Sequence, residues 1–144
     1  MRNALILSLV TLATPAAADP AITRVVEDSF DNVAFALESA IVGRGLVIDH
    51  LSHVGEMLER TKEDVGSTVT VFTQADVFSF CSAAVSRQVM EADPANIQYC
   101  PYGIFLYETP DAPGSVTVGY RDYPEGEMQA VEDMLADIVA EALG

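Results

Sequence analysis

The spacing of apolar residues divides the first half of the chain into short strands and helices. Residues 22–28 are rich in branched side chains and predict a strand, and Ser29 can cap the helix that follows it. Residues 46–49 predict a second strand. Ser52 then caps a second helix, which Gly66 ends. The pattern therefore begins as strand, helix, strand, helix.

The remaining elements follow from the same spacing and from turn chemistry. Residues 68–72 predict a third strand, and Asp76 is the predicted cap of a third helix. Two strands at 103–108 and 115–121 are joined by a loop rich in proline, aspartate and glycine, which predicts a hairpin. A final helix begins near Pro124. The order β-α-β-α-β-α-β-β-α predicts an α+β two-layer sandwich, with helices on one side of a mixed, mostly antiparallel sheet.

The first 18 residues have a different pattern, that of a secretory signal peptide. Arg2 gives a positive start, residues 4–13 are apolar, and Pro15 precedes three alanines suited to a cleavage site. Such a stretch is too short to cross a bilayer as a helix. We expect a mature chain that starts at Asp19, a single domain over 19–144, and delivery to the periplasm with no membrane attachment after cleavage.

The net charge of the chain limits the classes of molecule that it can bind. The chain has 22 acidic residues against 7 basic ones, a net charge of −15, and Lys62 is its only lysine. A field of this sign repels phosphate backbones and anionic lipid headgroups. The sequence therefore predicts no nucleic-acid partner and no membrane partner.

The two cysteines, Cys81 and Cys100, are candidates for a disulfide bond. An exported chain meets an oxidising compartment, and a bond here would close a loop of about twenty residues. Two further interpretations stay open, a soft-metal site with both thiols reduced and a redox-active pair. The spacing is not C-x-x-C, which disfavours the redox interpretation.

The two histidines, His50 and His53, are three residues apart and form a weak metal motif. A capping or surface role is the alternative. If one of them is a ligand, we expect His53, with Met57 one helical turn further on and a cysteine completing the set. Sulfur and imidazole together suit copper(I), and zinc or haem are further candidates, but no cofactor is predicted outright.

Aromatic residues concentrate around the last two strands. Tyr99, Tyr102 and Tyr120 are the candidates for a ligand pocket or a subunit interface, because tyrosine combines an apolar ring with a polar tip. Ordinary packing within the sheet is the alternative. No G-x-S-x-G, Walker, G-x-G-x-x-G or H-E-x-x-H motif occurs, so no catalytic residue is assigned and a non-enzymatic role is favoured.

The segment 26–120 resembles the DUF302 family of small domains of unknown function. The resemblance rests most on Cys100-Pro101 leading into the strand at 104–108, and also on Cys81, on Gly45 before an apolar strand, and on the closing strand at 116–120. It implies a compact α+β fold and a homodimer, but no activity.

The chain departs from the family pattern beside both cysteines. Ser82-Ala83 stand where many members have Asn-Pro, and Pro101 follows the second cysteine instead of preceding it. The family's histidine matches His53.

From residues and resemblance together we expect an exported, disulfide-stabilised, dimeric binding domain for an unidentified small molecule or protein. The alternative is a periplasmic metal- or haem-binding protein that uses His53 with a cysteine or methionine ligand.

Overall fold

The computed structural model of the protein describes residues 21–144. The predicted signal peptide and the cleavage site before Asp19 lie outside these residues. The elements in chain order are β1 (Ile22–Glu27), α1 (Phe30–Gly43), β2 (Val47–His53), α2 (Val54–Thr61), β3 (Gln74–Cys81), α3 (Ala83–Ala92), a short 3-10 helix (Pro94–Tyr99), β4 (Tyr102–Glu108), β5 (Ser115–Tyr120) and α4 (Gln129–Leu143). The predicted element order is confirmed.

The five strands form one sheet in the order β1-β5-β4-β3-β2. All four strand pairs within the described residues are antiparallel, so the sheet is less mixed than predicted. The first two strands lie at opposite edges, and α1 carries the chain across the sheet between them. The predicted α+β two-layer sandwich is confirmed.

One face of the sheet packs against the helices and forms the core. Alternate residues of β3, β4 and β5 are buried there, as expected for a strand that is covered on one face. The helices contribute the apolar stripes of α1 and α4, and α3 adds Val89. The fully buried aromatic and aliphatic side chains of this core include Phe78, Phe80, Tyr102, Ile104, Leu106, Leu37, Ile41, Leu135 and Ile138.

Within residues 21–144, α1, α3 and α4 do not cover the opposite face of the sheet, and we call it the open face. It is covered only near the start of β3, where Ala75 is buried against Gly55 of α2. Its strand positions are Thr23, Val25, Glu27, Val47, His50, Ser52, Ala75, Val77, Ser79, Cys81, Gly103, Phe105, Tyr107, Ser115, Thr117 and Gly119. Val25 and Val47 are strongly exposed, at 64% and 73%. No helix within residues 21–144 is long and apolar enough to span a bilayer.

The beginning of α1 follows the prediction closely. The Ser29 hydroxyl accepts a hydrogen bond from the Asn32 amide at 3.3 Å, the arrangement of a helix N-cap. The Asp28 carboxylate accepts a second bond from the Asn32 side chain at 2.9 Å. The predicted hairpin is also present, and the Gly114 amide in its loop donates to the buried Glu108 carboxylate at 2.9 Å.

The middle of the chain differs from the prediction. Residues 68–72 form no strand; β3 begins at Gln74, and α3 begins only at Ala83. Ser82, not Asp76, caps α3, because its hydroxyl accepts from the Val85 amide at 3.3 Å. Helical spacing in 76–89 is outweighed because β3 is a central strand, paired on both sides with β2 and β4.

Two helix starts also differ. Ser52 lies inside β2, which continues to His53, and His53 makes no capping side-chain bond to α2. The last helix starts at Gln129, five residues after Pro124. Gly126 adopts a positive φ of 97° between them, a conformation that an α-helix does not contain.

Candidate functional site

The strand register brings the candidate residues to two ends of the sheet. At one end, β3 begins, β2 ends with His53, and the loop before β3 carries Phe72. At the other end, β4 begins beside the end of β5, and the 3-10 helix and the disulfide lie close by. Each end carries a cavity, so we describe each in turn.

His53 forms an ion pair with Asp76 at the first of these ends. Antiparallel pairing places His53 opposite Asp76, and the ring Nδ1 lies 2.9 Å from the Asp76 Oδ1. The Asp76 side chain is only 13% exposed, whereas that of His53 is 52% exposed. The hydrogen bond to Asp76 raises the pKa of His53, and the negative charge of Asp76 raises it further. A carboxylate on Nδ1 leaves Nε2 available to a ligand.

A groove of about 680 Å³ lies beside this pair. Its apolar walls are Phe30, Ala34 and Phe72, and its polar lining includes Glu56 and Asp76. Glu59 also lines the groove but is occupied, because its carboxylate accepts hydrogen bonds from Lys62 and from the Thr70 hydroxyl. We call this the His53 groove.

The metal set predicted around His53 is not assembled. Met57 is partly exposed on α2 and does not line the groove. His50 and His53 lie on opposite faces of β2, since His50 pairs with Ser79 on the open face and His53 with Asp76 on the helix side. Among residues 21–144, no three or more histidine, cysteine, aspartate or glutamate side chains are grouped so that they could hold a metal ion.

Cys81 and Cys100 form a disulfide that joins the end of β3 to the residue before Pro101. Their Cα atoms are 6.6 Å apart. Both sulfur atoms are used in the bond, and the described chain has no free thiol. A thiolate ligand for a metal at His53 is therefore absent from this structure.

The three candidate tyrosines differ in their exposure and do not line one cavity. Tyr102 and Tyr120 face the helices and are buried, with the Tyr102 hydroxyl 3.1 Å from the Ser86 hydroxyl of α3. The prediction that these two rings form an accessible pocket or interface is therefore wrong, since even positions of β4 and β5 face the core. Tyr99 is half-buried, and its ring packs edge-on against Tyr123 with centroids 5.7 Å apart.

Tyr99 borders a cavity of about 470 Å³ at the second end of the sheet. Gly103 forms its floor. The rings of Phe105 and Tyr123 and the guanidinium group of Arg121 also line it. Burial raises the pKa of Tyr123 to about 12, so its hydroxyl stays protonated at neutral pH. We call this the Tyr99 cavity.

Residues 22–143 match the family described as "Domain of unknown function DUF302". The chain belongs to the DUF302 family. A solved structure of an uncharacterized conserved DUF302 protein from Bacillus stearothermophilus has the same fold, with a TM-score of 0.65 at 14% identity over 85% of this chain and 94% of that one. No curated protein matches this DUF302 chain.

Sequence reasoning missed two parts of these sites in the DUF302 domain. The helical spacing predicts Asp76 as a helix cap, which conceals its role as the partner of His53. The apolar residues at alternate positions 78 and 80 are the available signal of a strand, and a strand here pairs Asp76 with His53. Gly103 and Arg121 were not singled out. A glycine inside a strand that otherwise reads as apolar is the available signal for a depression in the sheet surface.

Proposed function

We propose that this DUF302 domain is an exported, disulfide-stabilised binding domain without catalytic activity, and that it acts as a homodimer joined through its open face. One observation supports this most. The open face carries Val77, Phe105 and Tyr107 near its centre and the exposed Val25 and Val47 on its two edge strands, and within residues 21–144 the layer of α1, α3 and α4 does not cover it. Exposed contiguous apolar patches of this kind mark interaction sites in proteins.

The charge distribution supports a second copy as the occupant. The chain carries 22 acidic residues, yet Glu27 is the only carboxylate among the paired positions of the open face. Two copies with a net charge of −15 each repel one another at most surfaces, but they can meet here with few opposed carboxylates.

The size of the open face is sufficient for a stable contact. Five strands about 4.8 Å apart, each of about six residues rising about 3.3 Å, give a flat area on the order of 500 Å². Two such faces bury on the order of 1,000 Å², the lower bound for a specific interface. The partly exposed rings of Phe105 and Tyr107, which stack with centroids 6.2 Å apart, would lie near its centre.

Dimerisation through this face is tested with a charge placed at its centre. Thr117 is half-buried on β5, opposite Tyr107, so Thr117→Glu adds a carboxylate without removing a core side chain. We expect the unsubstituted protein to sediment as a dimer and Thr117→Glu to sediment as a monomer of unchanged thermal stability. Thr68→Glu, the same change in an exposed loop, is the matched control and should stay dimeric.

Two results would contradict the proposal. One is an unsubstituted protein that stays monomeric at every concentration tested by light scattering. The other is a Thr117→Glu variant as dimeric as the control. Phe35 is the exposed aromatic residue of α1, so a dimer that Phe35→Ala breaks and Thr117→Glu spares would place the interface on the helix layer.

Export is part of the same proposal and rests on the leader sequence. A basic residue, a short apolar stretch and small residues before Asp19 suit signal peptidase. Amino-terminal sequencing of the protein recovered from the periplasm should begin at Asp19. An intact leader on a protein that fractionates with the cytoplasm would contradict export.

A metal or haem site at His53 is the second candidate function. The observation that favours it is the Asp76 carboxylate on Nδ1, an arrangement that orients histidine ligands through the opposite nitrogen. Elemental analysis after loading with copper or zinc, or a Soret band after loading with haem, should reveal a bound group. His53→Ala should remove the signal and His50→Ala should retain it; equal retention in both variants would contradict this candidate.

A further inference from the structure

We propose that the Tyr99 cavity is a binding site for a small aromatic carboxylate, with Arg121 binding the carboxylate and the rings of Tyr99 and Phe105 contacting the aromatic part. The cavity is formed by one chain, so this inference does not rest on the proposed dimer. Val77, Gly103 and Phe105 in its lining are open-face residues, however, so ligand binding and dimerisation through that face would compete. Its volume of about 470 Å³ lies within the range of small-molecule sites.

The lining of the Tyr99 cavity is unusual for so acidic a chain. Among residues 21–144, no aspartate or glutamate lines it, although 22 of the 144 residues of the chain are acidic. The carboxylate of Glu132 is close, but it accepts the backbone amide of Tyr123 at 3.0 Å from the α4 side. An anion in this cavity therefore meets no carboxylate among the described lining residues, whereas the net charge of the chain as a whole repels it.

Arg121 is available to a ligand. Arg44, Arg87 and Lys62 each form an ion pair with a glutamate. Arg24, Arg60 and Arg121 form none among residues 21–144, and of these three only Arg121 lines the cavity, where its side chain is exposed. A planar guanidinium binds a carboxylate with two parallel hydrogen bonds, which selects a planar anion. A phosphate group usually meets several cations or backbone amides, and this cavity offers one cation.

Two glycines shape the cavity. Gly103 exposes the backbone of β4 as a floor, and a Cβ there would be accommodated in ordinary van der Waals contact, 3.7 Å from Val77 and from the Phe78 carbonyl. Gly119 lets the Phe105 ring lie across β5, since a Cβ at Gly119 would be 2.5 Å from the Phe105 Cζ. The result is a flat ring surface beside a depression, which suits a planar ligand.

The aromatic walls are held in place before any ligand arrives. Tyr99 directly precedes Cys100, which the disulfide fixes to β3. The Tyr123 carbonyl accepts a hydrogen bond from the Gln129 side chain at 3.3 Å. The Tyr123 ring packs on the rings of Tyr99 and Tyr102. Little side-chain freedom is lost on binding in such a site, which favours affinity.

The test compares phenylacetate with phenylacetamide, its uncharged counterpart of similar shape, by calorimetry on the disulfide-bonded domain. We expect saturable binding of phenylacetate and about tenfold or more weaker binding of phenylacetamide, the difference that one charge-assisted hydrogen-bond pair supplies. Arg121→Gln should remove the preference for the acid. Arg87→Gln, which removes an exposed arginine of α3 outside the cavity, should preserve it.

A second variant tests the cavity itself. Gly103→Val fills the floor with a residue that favours strands, and it should abolish binding of both compounds while circular dichroism stays unchanged. If Gly103→Val does not fold, Tyr99→Leu replaces it and should weaken both compounds. Equal binding of acid and amide, a preference that survives Arg121→Gln, or no saturable binding at millimolar concentration would overturn the inference. Because a dimer would cover the cavity, the titrations are repeated with the monomeric Thr117→Glu variant, and absence of saturable binding there would overturn the inference whether or not the unsubstituted protein is a dimer.

Discussion

At the scale of single residues, the pairing of β2 with β3 determines the hydrogen-bond partner and the pKa of His53. Its ring is half-exposed, but its Nδ1 is held by a mostly buried carboxylate on the neighbouring strand. The sequence predicts His53 as a candidate metal ligand, with Met57 or a cysteine as a sulfur ligand beside it. The partner that it has, Asp76, is 23 residues away along the chain and becomes visible only once β2 and β3 are in register.

The His53–Asp76 pair makes stability depend on pH. The hydrogen bond to Asp76, followed by the charge of Asp76, raises the pKa of folded His53 above its unfolded value. The pair therefore stabilises the fold fully below about pH 6.5, and the contribution disappears as pH rises through the raised folded value. His53→Gln should lower the melting temperature at about pH 5.5 more than at about pH 9.

The control for this prediction is His50→Gln, which removes the other histidine from the open face. Its effect on the melting temperature should be smaller at the acidic pH than that of His53→Gln. An equal cost of His53→Gln at both pH values would contradict a charged pair. The effect is expected to be small, because the His53 ring is more than half exposed to solvent.

At the scale of elements, the helices and strands that depend on neighbouring residues are predicted correctly, whereas β3, which depends on distant residues, is not. Ser29 caps α1 by a hydrogen bond to a residue three positions away, and the β4–β5 hairpin closes through its own loop, so a short window of sequence contains the cause. β3 is different, because its strand character comes from β2 and β4 on either side. Because β3 is predicted as a helix, the sequence does not show that Asp76 is the partner of His53. It also does not show that Tyr102 and Tyr120 face the core.

The disulfide links the end of β3 to Cys100, which follows the 3-10 helix, and should contribute strongly to stability. It closes a loop between residues 19 apart, for which the chain-entropy model gives about 3 kcal/mol. The double variant Cys81→Ala with Cys100→Ala should lose about that much unfolding free energy in urea titrations. Reduction of the unsubstituted protein should produce a comparable loss, and a double variant with an unchanged unfolding midpoint would contradict the assignment.

At the scale of the whole molecule, the net charge of −15 is the dominant property. Arg44 bonds Glu141 at 2.8 Å and so ties α1 to α4, but few other cations are available to offset the acidic surface. Repulsion among the remaining carboxylates opposes the compact state at low ionic strength. The net charge follows directly from the sequence, whereas the low carboxylate content of the open face, and of the Tyr99 cavity among residues 21–144, becomes visible only in the fold.

Salt should therefore stabilise this protein. Raising ionic strength from about 0.01 M to about 0.15 M shortens the screening length from about 30 Å to about 8 Å, so the melting temperature should rise over that range. Sodium and potassium chloride should act equally, because screening does not depend on the identity of the ion. A melting temperature that stays flat or falls would contradict this prediction.

The sheet order has a consequence for how the chain reaches its native state. β1 pairs with β5, so that Ile22 lies opposite Tyr120, and α1 packs on α4. A polypeptide that emerges amino end first must keep its opening strand unpaired until the last quarter of the chain is available, and its first helix has only β2 and β4 to pack on before α4 arrives. Contacts between such distant segments slow folding. A nascent or truncated chain that stops before β5 cannot close its core, and it presents an unpaired strand edge to its neighbours.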